Sequence, residues 1–257
     1  MRHDIKIMGI LNITENSFYK ESRATTQEAI TNRLKILIHE GADIIDIGAC
    51  STKPGSTPIS SEEEWENISK AIQITKKLYP SIPISIDTFR ADIVEKVYDT
   101  IGDFIVNDIS AGEDDTNMLK LVGKLGLEYI AMHKRGTPAT MQSLCQYDNV
   151  TKEVVNYFKD FAIKAEEANI KNWILDPGFG FAKTLEQNYE MIDNFEEFKE
   201  LSRPILVGIS RKSFIYKKLG ITPEEALTAT TELHKILIQK GANILRVHDV
   251  AAAKSLL

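Results

Sequence analysis

Three short polar side chains stand in or at the ends of apolar runs: Asp87 closes PISID, Asn107 lies in FIVND and Asp176 closes NWILD. A buried carboxylate suits a ligand that presents paired N–H donors, such as an amino-pyrimidine edge, and an asparagine amide can both donate and accept. Lys212, in SRKS, would bond a ring oxygen or nitrogen of the same ligand. Arg246 and His248 stand two residues apart in NILRVH, a spacing that turns both to one side of a strand. Arginine is shaped for bidentate contact with phosphate, and phosphate sites near the last strand are common in α/β barrels. Taken singly each signal is weak, because a lone Asp is as often a helix cap and a lone His is more often structural. Taken together they describe a pocket for a donor-rich heterocycle next to an anion.

These residues need elements that bring them together. Short Ile- and Val-rich runs alternate with amphipathic segments from end to end. The expected strands are 5–11, 43–48, 83–87, 104–108, 128–133, 172–176, 204–209 and 243–248. Between them, apolar positions recur every three or four residues in TQEAITNRLKILIHEG, SEEEWENISKAIQITKKL, TKEVVNYFKDFAIKAEEA and PEEALTATTELHKILIQKG, one buried face per helix. Gly41 and Gly241 follow two of these in the C-cap place, and Thr57-Pro58 and Thr222-Pro223 open others, with Thr222 a candidate N-cap. Near-continuous apolar strands between helices indicate a parallel sheet covered on both faces. No strand is followed by Gly-x-Gly-x-x-Gly, which argues against an open dinucleotide-binding sheet. Eight strand-helix units in 257 residues predict a single (β/α)8 TIM-barrel domain over residues 1–257.

In such a barrel the chemistry collects at the C-terminal strand ends. Read in order, those ends carry Asn12, Ser51-Thr52-Lys53, Asp87, Asn107-Asp108, His133-Lys134-Arg135, Asp176, Ser210-Arg211-Lys212-Ser213, and Arg246 with His248. Caps and loop roles account for one or two of these but not for the set. Asp108, next to Asn107, is expected to face the barrel wall or the core and be structural. Gly178 and Gly180 in DPGFGF either let backbone approach a flat ligand, with Phe179 or Phe181 stacking nearby, or form a plain strand-to-helix turn around a core Phe.

At 43% hydrophobic and 26% charged residues the composition is that of an ordinary globular protein. A net charge of −6 argues against general nucleic-acid affinity, so an anionic substrate needs a local basic pocket. Cys50 and Cys145 form neither a disulfide framework nor a metal-ligand spacing, and no apolar run is long enough to span a membrane. A cytoplasmic protein is expected.

The segments IMGILNIT (7–14), GADIIDIGACSTKPGS (41–56), SIDT (85–88), VNDISAG (106–112), MHKRGTPATMQ (132–142), ILDPGFGFAKT (174–184), VGISRKSFI (207–215) and LRVHDV (245–250) resemble, in family order, the motifs of dihydropteroate synthases. The resemblance implies condensation of a 7,8-dihydropterin-6-methyl pyrophosphate with p-aminobenzoate, giving dihydropteroate and pyrophosphate. It implies that Asp87, Asn107, Asp176 and Lys212 hold the pterin, with Met132 and Phe181 lining its faces. Arg246, His248 and Asn12 are implied to handle the pyrophosphate and a Mg²⁺ ion bound through Asn12. Thr52, Pro54 and Ser213 are implied to lie near the aminobenzoate, with Phe18 closing over it, and a homodimer is the family's expectation. The chain departs from the family in two loops. The first reads Thr14-Glu15-Asn16-Ser17-Phe18-Tyr19-Lys20-Glu21, and the second carries Lys53 where Arg is usual, losing a bidentate fork. Two other readings compete: a methyltetrahydrofolate:corrinoid methyltransferase, which has no need of SRKS or Arg-x-His, and a pterin-binding paralogue without turnover.

Overall fold

The structure, a computed structural model, describes residues 5–13, 26–50, 59–137 and 139–257. Its strands are β1 (Lys6–Asn12), β2 (Ile44–Gly48), β3 (Ile84–Asp87), β4 (Ile105–Asp108), β5 (Glu128–Met132), β6 (Trp173–Asp176), β7 (Leu206–Val207) and β8 (Ile244–Val247). All neighbouring pairs are parallel, in the order β6-β5-β4-β3-β2-β1-β8-β7. A parallel bridge from Leu175 to Ile205, with Leu175 N–H donating to Pro204 C=O at 3.0 Å, joins the two ends of that order. The sheet closes into a (β/α)8 barrel, as expected.

Strand β7 is shorter than the expected 204–209. Pro204 has no N–H to give the ladder, and Ile205 N–H donates to the Asn243 side chain at 2.9 Å. Regular pairing therefore begins only at Leu206.

The helices are α1 (Gln27–His39), α2 (Ser61–Leu78), α3 (Ala91–Ile101), α4 (Met118–Leu125), α5 (Val150–Glu167), α6 (Leu185–Asp193), α7 (Ser213–Leu219), α8 (Leu227–Lys240) and α9 (Val250–Lys254). Side-chain caps start several of them: Thr26 on α1, Ser60 on α2, Asn149 on α5, and a full capping box from Thr184 and Gln187 on α6. Each such cap typically stabilises by ~1 kcal/mol. Thr222 and Glu225 exchange the hydrogen bonds of a capping box, but regular helix α8 begins only at Leu227, after a turn. Thr57-Pro58 lies outside the described residues. No helix among the described residues is long and apolar enough to cross a membrane.

Two apolar clusters follow from strand alternation. Met8, Ile44, Ile105, Ile130, Ile174, Leu206 and Ile244 point inward and plug the barrel. Their neighbours in sequence, such as Ile7, Ile45, Val106, Tyr129, Leu175, Val207 and Leu245, pack outward among the helices. One step toward the C-terminus on the inward face, apolar side chains give way to polar ones on β2, β4, β6 and β8, at Asp46, Asn107, Asp176 and Arg246. That step sets the floor of the site.

Candidate active site

The inward positions above the plug belong to Asp46 on β2, Ser85 and Asp87 on β3, Asn107 on β4, Met132 on β5, Asp176 on β6 and Arg246 on β8. The ladder aligns Gly48 with Asp87, Asp87 with Asn107, and Met132 with Asp176. Asn107, Met132 and Asp176 are nearly buried, and Asp87 is half-buried. Four predicted pterin-pocket positions thus arrive on one wall, because parallel strands in a closed barrel all end at the same rim.

Lys212 reaches the site from the turn before α7. Its Nζ donates to the Phe179 carbonyl and lies 4.4 Å from the centre of the Phe181 ring. Burial pushes this lysine down to about 8, against the pull of Asp176. The Asp176 carboxylate accepts from Gly178 N–H at 2.8 Å, and burial raises it while Lys212, that hydrogen bond and Arg246 lower it. Ser213 opens α7 and is exposed at its N-terminus.

The two phenylalanines of DPGFGF separate cleanly. Phe179 is fully buried and stacks with Phe195 and Phe214, so it is core. Phe181 is half-buried beside Lys212, the place of a ring that lines a mouth. Gly178 answers to the protein's own backbone rather than to a ligand: at φ +69° its Cα faces the carbonyl of His133.

Arg246 is not a free cation. Its Nε donates to Asp46 at 2.7 Å, and its Nη2 bonds Asp46 at 2.7 Å and Asp87 at 2.6 Å. The two carboxylates hold the guanidinium above its ordinary range despite burial. Asp87 is pushed up to about 7 by burial, with Arg246 opposing and Asp46, Glu64 and Asp108 adding to the rise. His248 follows β8; burial, then Arg246 and Arg33, push it down to about 3, so its ring is neutral at pH 7. Asn12 ends β1 half-buried and pairs with Gly48.

The rim set is smaller than its sequence suggested. Lys134 is clasped by Asp114 at 2.6 and 2.8 Å. Arg135 pairs with Glu153 at 2.7 Å and lies over Tyr147. Arg211 is tied to Asp249 at 2.8 and 2.9 Å and to the carbonyls of Pro223 and Glu224. These charges brace loops and helices. Asp108 is structural as expected, its oxygens accepting from Ser110, Gly112 and Tyr129. Phe18, Thr52, Lys53 and Pro54 lie outside the described residues.

Two buried groups were missed. Asp46 sits inside the apolar run DIIDIG, where a carboxylate needs a partner, and that need was the available signal. Lys183 is buried at 3% exposure, its Nζ 2.9 Å from Gly178 C=O, 3.1 Å from Phe181 C=O and 2.9 Å from His133 Nδ1. Burial pushes both Lys183 and His133 well down. The amine's hydrogen-bonding capacity is thus met entirely within the protein, by two carbonyls and the imidazole. Lys183 thereby clamps the loop that carries Phe181 to the end of β5, and nothing local in FAKT signals it. Among the described residues no cluster of three or more His, Cys, Asp or Glu could hold a metal by itself.

The arrangement suits a flat, donor-rich ring that meets two buried carboxylates and an amide on one edge and a lysine on another. The family described as pterin binding enzyme matches residues 8–248. The chain is 36% identical to a dihydropteroate synthase of Escherichia coli (strain K12) over 249 residues, 95% of this chain and 86% of that protein. It is 38% identical to one from Clostridium beijerinckii, covering 95% and 88%. A crystal structure of Yersinia pestis dihydropteroate synthase with a sulfonamide drug complex superposes with a TM-score of 0.93 at 30% identity, over 98% of this chain and 91% of that one. The Xanthomonas albilineans enzyme with 4-aminobenzoic acid gives a TM-score of 0.88 at 34% identity, over 98% and 90%.

Proposed function

From the premise that the chain belongs to the pterin-binding enzymes, and within them to the dihydropteroate synthases, we propose how its own residues carry out that transfer. The reaction joins p-aminobenzoate to the methylene of a 7,8-dihydropterin-6-methyl pyrophosphate and releases pyrophosphate. The observation that carries the reading is the convergence of Asp87, Asn107 and Asp176 from three strand ends, and of Lys212 from the turn before α7, onto one mouth beside Arg246.

The pterin's N–H groups donate to Asp176, Asp87 and Asn107, and Lys212 donates to a ring acceptor. Met132 and Phe181 line the ring's faces. An electron-rich pterin supports positive charge at its methylene, so pyrophosphate leaves first. The two buried carboxylates stabilise that cation, while Arg246 and a hydrogen bond from neutral His248 receive the anion. The arylamine then attacks, and no covalent enzyme intermediate is needed. By the family's pattern Thr52, Pro54 and Ser213 would serve the amine, and Phe18 would help exclude the water that competes.

Asn12 is the described residue that would hold Mg²⁺, through its amide oxygen, a hard donor of the kind this ion takes. When bound, the ion neutralises charge on the leaving group. We further propose a single-domain cytoplasmic homodimer. Free Cys50 and Cys145 suit a reducing compartment, and light scattering tests the dimer.

Pyrophosphate release from the two substrates together is the direct test, and a protein that binds pterin without release would be the silent paralogue. Lys53→Ala should lower turnover strongly and leave the affinity for a pyrophosphate-free pterin unchanged, with Lys53→Arg neutral or better. A fully active Lys53→Ala protein would take the second loop out of the chemistry.

The pH dependence has a definite sign. A pterin donor binds the ionised form of Asp87, which is raised to about 7, so below that pH binding must release a proton and affinity falls by roughly tenfold per unit. Above about 8 Lys212 loses its charge and the contact weakens. Calorimetry in buffers of different ionisation enthalpy should show proton release at pH 6 and best affinity between about 7 and 8. Flat affinity from pH 5 to 9 contradicts these assignments.

A further inference from the structure

We propose that Asp46 is a positioning residue: it holds the Arg246 guanidinium and the Asn107 amide in the orientation the mouth uses, without itself touching substrate. For the roles of Arg246 and Asn107 this rests on the reaction proposed above.

Asp46 is fully buried in the middle of β2, on the inward face that Ile44 and Gly48 share. One carboxylate oxygen accepts from Ser85 Oγ on β3 at 2.7 Å and from Asn107 Nδ2 on β4 at 3.2 Å. The other accepts from Arg246 Nε on β8 at 2.7 Å and lies 2.7 Å from Nη2. Three of its roughly four lone-pair sites thus hold protein hydrogen bonds, and the charge of Nη2 stands against the second oxygen. Fully buried beneath these partners, Asp46 is out of a ligand's reach.

Two consequences follow from these contacts. An ionised carboxylate only accepts, so the Asn107 amide must turn its NH₂ toward Asp46 and keep its oxygen for the mouth. Asn107 is thereby specified as an acceptor, matching Asp87 and Asp176. Arg246, held along its Nε–Nη2 edge, presents its opposite edge outward. Asp87, at 15% side-chain exposure against 0% for Asp46, shares that Nη2 from the mouth side. A pterin donor can therefore take over Asp87 without releasing Arg246, since Asp46 retains it. Of the two carboxylates on one guanidinium, Asp46 is the permanent partner and Asp87 the exchangeable one.

A double-mutant cycle on affinity for the pyrophosphate-bearing pterin tests whether Asp46 acts through Arg246. Asp46→Asn should weaken binding at least tenfold and Arg246→Met at least as much, while the double variant loses well short of the product of the two, its excess over Arg246→Met being the share that Asp46 exerts through Asn107. Losses that multiply, or an Asp46→Asn protein that binds like wild type, overturn the proposal. A second measurement needs no variant to fold well. The Arg246 Nε–H resonance of the wild-type protein, assigned by through-bond side-chain correlations, should stay protected from solvent exchange in the free and the pterin-bound protein. Rapid exchange in either state shows that Asp46 is not the permanent partner. A wild-type protein with the protected resonance but no pyrophosphate release would refute the proposed reaction alone, and release with an unprotected resonance would refute this proposal alone.

Discussion

Asp176→Asn should lower pterin affinity at least about tenfold while the protein still unfolds cooperatively. Asp176 is nearly buried, and one of its oxygens is committed to Gly178 N–H at 2.8 Å. An asparagine that keeps that bond must turn its NH₂ toward Lys212 and the ligand's own N–H groups. Donor then faces donor in a buried site. A mismatch of this kind typically costs about 1–3 kcal/mol, and each 1.4 kcal/mol is tenfold in affinity. Folding is spared because burial already penalises the Asp176 carboxylate, and Lys212, left without it, keeps the Phe179 carbonyl and can shed its proton, being already pushed down to about 8. Titration calorimetry with a pyrophosphate-free pterin, alongside a thermal melt, separates the two effects. Unchanged affinity would remove Asp176 from the pocket.

Gly178→Ala should destabilise the fold by at least roughly 3 kcal/mol and abolish the site with it. Two costs combine. The residue is at φ +69°, where a Cβ is strained, and that Cβ would be driven into the carbonyl oxygen of His133, far inside van der Waals contact, with Met132 Cγ 3.3 Å away. The obstacle is backbone at the end of β5, so it cannot rotate aside. Relief requires the β6 loop to move, carrying Phe181 and the Lys183 clamp with it. Gly126→Ala is the control: φ is +71° in the left-handed helical region, but nothing lies within 4 Å of the added carbon, so only the backbone term of about 1 kcal/mol remains. Urea unfolding should show a large midpoint shift for the first and a small one for the second. Equal shifts would mean that the His133 contact does not constrain this loop.

How far these residues were legible in the chain alone depends on the range of the forces involved. Period-two and period-3.6 apolar patterns are local, and they sufficed for eight strands, their covering helices and the closed barrel. Chain polarity did the rest for Asp87, Asn107, Asp176 and Arg246, since residues at the C-terminal ends of parallel strands must share a rim. The same logic placed Asp108 outward, one residue on from an inward Asn107. Element ends were less legible, because Pro204 and the Asn243 side chain, 38 residues from the Ile205 it caps, shorten β7.

Which rim charges are available to a ligand was decided only in three dimensions. Arg246 and Asp46 are 200 positions apart, Arg211 and Asp249 38, Lys134 and Asp114 20. No local pattern distinguishes a charge that meets substrate from one that meets a distant partner. Lys183 makes the point most sharply. Its sequence surroundings are those of an ordinary surface lysine before a helix, yet folding strips its water and gives it two carbonyls and an imidazole. Desolvation depends on everything packed around a group, so it is a property of the folded whole, whereas strand direction and apolar period are carried by each segment separately.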